Sequence, residues 1–151
     1  MYQFTPEKKA AMIKLFKSLP VNKRRMEFLE DMVEFYTKDN RAVKQSSSPH
    51  VAHSLACVYH STSKSPGCAI GRWLEQSETC NLLHNGSIVS FLKADNVIPD
   101  WMKEMGIDFL VDCQGFHDNE IFWNEEDAGC NELKQDAIDN MIHRINNFLY
   151  V

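Results

Sequence analysis

Leu133, Ala137, Met141, Ile145 and Leu149 recur every four residues, with Ile138, Ile142 and Phe148 beside them. A stripe of that period lies on one face of an α-helix, because a helix returns to the same face every three to four residues. A chain carrying it must supply other apolar surfaces to cover it. The stripe predicts a C-terminal helix over 131–149. Two further stripes answer it near the other end. Thr5 caps, Pro6 suits the first helical position and Glu7 favours the positive helix start; Met12, Leu15, Phe16 and Leu19 then form a face before Pro20 ends the run. After Asn22 come Leu29, Met32, Val33 and Tyr36, widened by Phe28 and Phe35. The short connection between these two runs predicts an antiparallel helical hairpin over 5–38.

The middle of the chain reads differently. Residues 39–50 have the composition of a loop. Leu55, Cys57 and Tyr59 alternate with Ala56, Val58 and His60, a period of two that suits a strand. Ser61 to Gly67 is a turn by composition, Cys68-Ala69-Ile70 suits a return strand, and Gly71 allows a change of direction. Helical stretches follow from Arg72, from Ser87, from Pro99 to Gly106, and from Ile107 to Trp123, the last with Phe109, Leu110, Cys113 and Phe116 on one face. The expected fold class is α+β and predominantly helical, with about six helices packed around one small β-hairpin at residues 55–70. The 151 residues fit one domain over 1–151, with the hairpin and helices of 51–123 between the two helical ends.

Charge narrows the partners. The net charge is −5, but residues 1–45 carry ten Lys and Arg against six Asp and Glu, whereas residues 93–151 carry four against thirteen. The two ends could attract each other within the fold, or the acidic surface could favour a basic partner. Five cysteines at long, uneven spacings suit free thiols in a reducing cytoplasm. Met1 to Pro6 lack the order of a secretory signal, and no apolar run approaches the ~20 residues of a membrane span. No membrane partner is expected. Oligomeric state is not readable.

Two constellations could carry chemistry. Cys57 with His60, and Cys80 with His84, are ligand pairs of a spacing used by zinc, which takes four sulfur or nitrogen donors. The 19-residue gap between them matches no zinc finger, and Cys57 and His60 point to opposite faces of a strand. The second is a cysteine nucleophile. Cys68 precedes a helix start, where a thiol loses its proton more readily. His117 would take that proton, Gln114 would hold an oxyanion, and Asp118 adds a carboxylate, although adjacent His117 and Asp118 are poorly placed to act as base and orienter. Phosphate loops and dinucleotide fingerprints are absent, so no cofactor is expected. Trp73, Trp101 and Trp123 are expected to fill core or interface. Lys23, Arg24 and Arg25 suit a solvated helix start; with Lys8, Lys9, Lys14 and Lys17 they could instead touch phosphate and make a nucleic-acid binder.

Cys57-Val58-Tyr59, then Cys68-Ala69-Ile70-Gly71 and Trp73-Leu74, resembles a pattern in small uncharacterised proteins of phages and prophages. Cys113-Gln114-Gly115-Phe116-His117-Asp118 and Trp123 are similar to the stretch that follows in those proteins, with Cys113 where leucine is usual. The resemblance covers residues 57–123. It implies a phage-type origin and a common fold, and no reaction.

The leading functional expectation is a small phage-type accessory or counter-defence protein in the host cytoplasm. It would bind and modulate a host macromolecule, most simply a protein, through Asp100, Glu104, Asp108, Asp112, Glu120, Glu125, Glu126 and Asp127. The rivals are a cysteine-dependent hydrolase or acyl transferase using Cys68 and His117, and the nucleic-acid binder.

Overall fold

A computed structural model describes residues 3–35, 43–45, 55–57, 69–74, 98–118 and 135–150, with backbone alone for 43–45, 55–57, 117 and 118. Among the described residues there are five α-helices: α1 (Pro6–Ser18), α2 (Val21–Phe35), α3 (Asp100–Lys103), α4 (Ile107–Asp118) and α5 (Gln135–Asn146). The expected class, six helices around a β-hairpin at 55–70, is overturned. Leu55–Cys57 (β2) pairs antiparallel with Val43–Gln45 (β1), three residues a side, and not with a strand at 68–70. Ala69 and Ile70 lie in a turn, Ile70 has right-handed helical backbone angles, and Gly71–Trp73 forms a 3-10 turn. The physical reason is burial. Ala69, Ile70, Trp73 and Leu74 are all buried, on successive sides of the chain, and a strand with alternating faces cannot place them all in one helical core.

α1 starts as its sequence dictates. Thr5 Oγ1 accepts from the Lys8 N–H at 3.1 Å, and Pro6 opens the helix. Its buried face departs from the stripe read in the sequence. Phe16 is fully buried, Met12 and Ile13 pack at the edge of the core, and Leu15 stays 39% exposed. Successive helical residues point about 100° apart, so a helix that seats Phe16 deeply and leans on Ile13 turns Leu15 to solvent.

The core is aromatic. Phe16 stacks on Trp101, with centroids 5.4 Å apart, and meets Trp73 edge-on at 5.2 Å. Phe28 lies 6.1 Å from Phe109. Full burial of such a ring contributes about 1.5–3 kcal/mol. Trp73 and Trp101 therefore fill the core, as their sequence suggested, and Trp123 lies outside the described residues.

Pro99 precedes α3, and Gly106, with φ 89°, makes the left-handed turn from α3 into α4. Phe109, Leu110, Cys113 and Phe116 on α4 are buried on the expected face. α5 ends before the predicted 149. Ala137, Met141 and Ile145 are buried, but the helix stops at Asn146. Phe148 takes φ 54°, its N–H donates to Ile145 O, and the Leu149 N–H donates to Arg144 O. That pair of bonds is a Schellman turn. It swings Leu149 off the stripe, leaving it 54% exposed, and brings Tyr150 into the core at 4%.

Candidate functional site

Two of the three cations at the start of α2 sit inside the protein, and Lys23 is exposed. Arg24 and Arg25 are 5% and 6% exposed. Arg24 Nε donates to Phe16 O at 2.6 Å, Nη2 to Leu19 O at 3.1 Å and Nη1 to Trp101 O at 2.7 Å. One guanidinium thus bonds the carbonyl end of α1, where Phe16 O also accepts the Leu19 N–H at 3.3 Å, and a carbonyl of α3. Arg25 Nε donates to Met105 O at 2.8 Å and Nη1 to Asn22 Oδ1 at 2.6 Å. Burial pulls the Arg25 pKa below its ordinary value. The expectation of a solvated helix start fails for these two residues, and so does their use in a nucleic-acid surface: their donors bond backbone carbonyls and the Asn22 side chain. The sequence carried the signal. Arg24, Phe28, Asp31 and Phe35 share one helical face, as do Arg25, Leu29 and Met32.

Asp31 is buried on that face and pairs with the buried Arg72 of the 3-10 turn. The Arg72 guanidinium also lies over the rings of Phe35 at 4.2 Å, Trp73 at 4.5 Å and Phe4 at 4.6 Å.

The expected nucleophilic site is only partly visible. Cys68 lies outside the described residues. His117 and Asp118 are the last two residues of α4, with side chains outside the description. Gln114 is fully buried, with no exposed face toward a cleft. Its neighbour Cys113 is a free, fully buried thiol whose pKa is raised well above the ordinary value, first by burial and then by Asp112. That environment makes an inert thiol. Of the zinc alternative, Cys57 lies in β2, and His60, Cys80 and His84 are outside the described residues. Among the described residues no group of three His, Cys, Asp or Glu is arranged to hold a metal.

The acidic residues divide. Asp112 ties the fold together: it pairs with Arg144 of α5 and accepts from Tyr150 Oη at 2.7 Å, while Arg144 lies 4.3 Å from the Tyr150 ring centre. Burial, then the bond to Asp112, raises the Tyr150 pKa. Asp100, Glu104 and Asp108 are exposed at the α3–α4 corner. Glu104 is 55% exposed and stands 3.6 Å from Arg24 Nη1. Glu120, Glu125, Glu126 and Asp127 lie outside the described residues.

Three chain corners converge around Arg25. It bonds Met105 O, it lies 5.9 Å from the Tyr150 ring centre, and its partner Asn22 donates through Nδ2 to Ile145 O at 2.9 Å. Large apolar side chains close in sequence to this junction are exposed. Ile107, two residues past Met105, is 42% exposed, and Phe148 and Leu149, just before Tyr150, are 77% and 54% exposed. The sequence stripes placed Phe148 and Leu149 on or beside a buried face; the Schellman turn overrides them. Exposed apolar side chains, with the exposed Asp108 following Ile107 and Lys23 beside Phe148, have the composition of a contact surface.

No described helix is long and apolar enough to cross a membrane. Compared with known proteins, the chain matches no family model, no curated protein and no solved structure.

Proposed function

We propose that this chain is a binding module that engages a basic macromolecule through the α3–α4 corner and the turn after α5. The observation that supports this most is the exposure of Ile107 next to Asp108 in the chain, with Asp100 and Glu104 exposed at the same corner and Phe148 and Leu149 exposed at the turn after α5. An aromatic held in water at a left-handed backbone position costs about 1–2 kcal/mol, and contact with a partner would offset that cost. In this reading the chain acts as a small phage-type accessory or counter-defence protein in the host cytoplasm, and the partner is a host protein with a cationic surface. Carboxylates speed and orient the encounter, and the apolar side chains hold the complex.

The test is capture of a partner from bacterial lysate by the tagged chain across a salt series. The reading expects a defined partner at low salt that is released as salt rises, and loses it on Ile107→Ser combined with Phe148→Ser. Retention of the same partner by that double variant, or no partner at low salt, overturns the reading.

A further inference from the structure

A second site lies at the start of α1, away from the corner described above. Phe4, Thr5, Pro6, Lys9, Ala10, Ile13 and Arg72 line an open groove of about 520 Å3, inside the roughly 300–1,000 Å3 of small-molecule sites. Its walls are largely apolar: Phe4, Pro6, Ala10 and Ile13. Its charged groups are both cations. They differ in one respect. Arg72 is neutralised by Asp31, whereas Lys9 makes one hydrogen bond, from Nζ to the neutral Leu74 O at 3.1 Å, and no ion pair among the described residues. An ammonium has three donors, so two remain for a ligand, on a half-buried side chain at the groove's edge.

From this the geometry points to a binding site for a small amphiphilic carboxylate, an acid with one anionic head and an aliphatic body. The head sits at Lys9, where a charge-assisted hydrogen bond replaces water. The body lies along Phe4, Ala10 and Ile13. The floor is rigid, because the Arg72 guanidinium is fixed between Asp31 and three aromatic rings, one of them the Phe4 ring that faces the groove. A cationic ligand is disfavoured by Lys9, and a highly charged polar one by the apolar walls. The site is independent of the partner surface, so either assignment stands without the other.

The test is a titration of the full chain with octanoate, followed by amide chemical shifts, beside 1-octanol and octylamine. Octanoate is expected to shift the amides of residues 4–13 and 72–74, and to bind more tightly than octanol. Lys9→Met is expected to weaken octanoate about tenfold and leave octanol unchanged. Ala10→Trp, an exposed position on α1, fills the groove and abolishes both while leaving the melting temperature in place. Equal binding of octanol and octanoate to the wild-type chain overturns the anionic assignment. Undiminished octanoate binding by Ala10→Trp, shifts confined to other residues, or no shift with octanoate overturns the site.

Discussion

Two charged clusters, one basic and contiguous and one acidic and spaced, have opposite fates. Lys23-Arg24-Arg25 sends two of its three cations into the core, where they close the carbonyl ends of α1 and α3. Asp100, Glu104 and Asp108 remain in water at a corner. The difference is helical phase. The arginines lie four residues before Phe28 and Leu29, on the side of α2 that the core covers. The guanidinium fork can satisfy several carbonyls at once, which lets a buried cation be tolerated. Charge type alone does not say whether a residue meets solvent; its register with apolar neighbours does.

The largest expected effect lies on the buried side. Arg24→Met removes the guanidinium that bonds the carbonyls of Phe16, Leu19 and Trp101, and Asp31→Ala leaves the Arg72 guanidinium buried without its carboxylate. Each is expected to destabilise by about 3–5 kcal/mol in denaturant unfolding. Arg24→Lys should rescue little, because an ammonium lacks the planar fork. On the exposed side, Asp108→Asn is expected to change stability by less than about 0.5 kcal/mol. A small effect at Arg24 or a large one at Asp108 would break the comparison.

Alkaline pH sharpens it further. The pKa values of Cys113 and Tyr150 are both raised in the fold, so the unfolded chain loses those protons first. Stability is therefore expected to hold below the ordinary thiol value of about 8.5 and to fall as pH climbs through it and through the ordinary phenol value of about 10. Tyr150→Phe should flatten the upper part of that fall. In the same vein, Cys113 is expected to react with an alkylating reagent at neutral pH no faster than the fold opens. A further effect, of opposite sign, concerns the turn after α5. Phe148→Gly removes a side chain from a left-handed position and is expected to stabilise by about 1 kcal/mol, while weakening capture of the partner.

Much of the helical frame was legible. Thr5-Pro6 opens α1, Pro99 and Gly106 bracket α3, and the buried faces of α4 and α5 follow their apolar spacing. The hairpin at 55–70 was misread because six alternating residues do not identify a partner strand: the pairing runs to Val43–Gln45, across a long connection. Gly71–Trp73 was also too short for its 3-10 turn to show a period. Of the site, the acidic corner could be named from charge. Its apolar half could not, because Phe148 and Leu149 continue the α5 pattern, and only the left-handed turn at Phe148 breaks it. Arg24 and Arg25 sat in correct phase for burial, and their charge masked the phase.

Capture of the proposed partner by Asp100→Asn/Glu104→Gln/Asp108→Asn, beside the wild-type chain at matched melting temperature, bears most directly on the division between inner and outer charge. The prediction is an intact fold that no longer retains the partner at low salt. A triple variant that holds the partner as firmly as the wild-type chain, or that unfolds, would contradict the account.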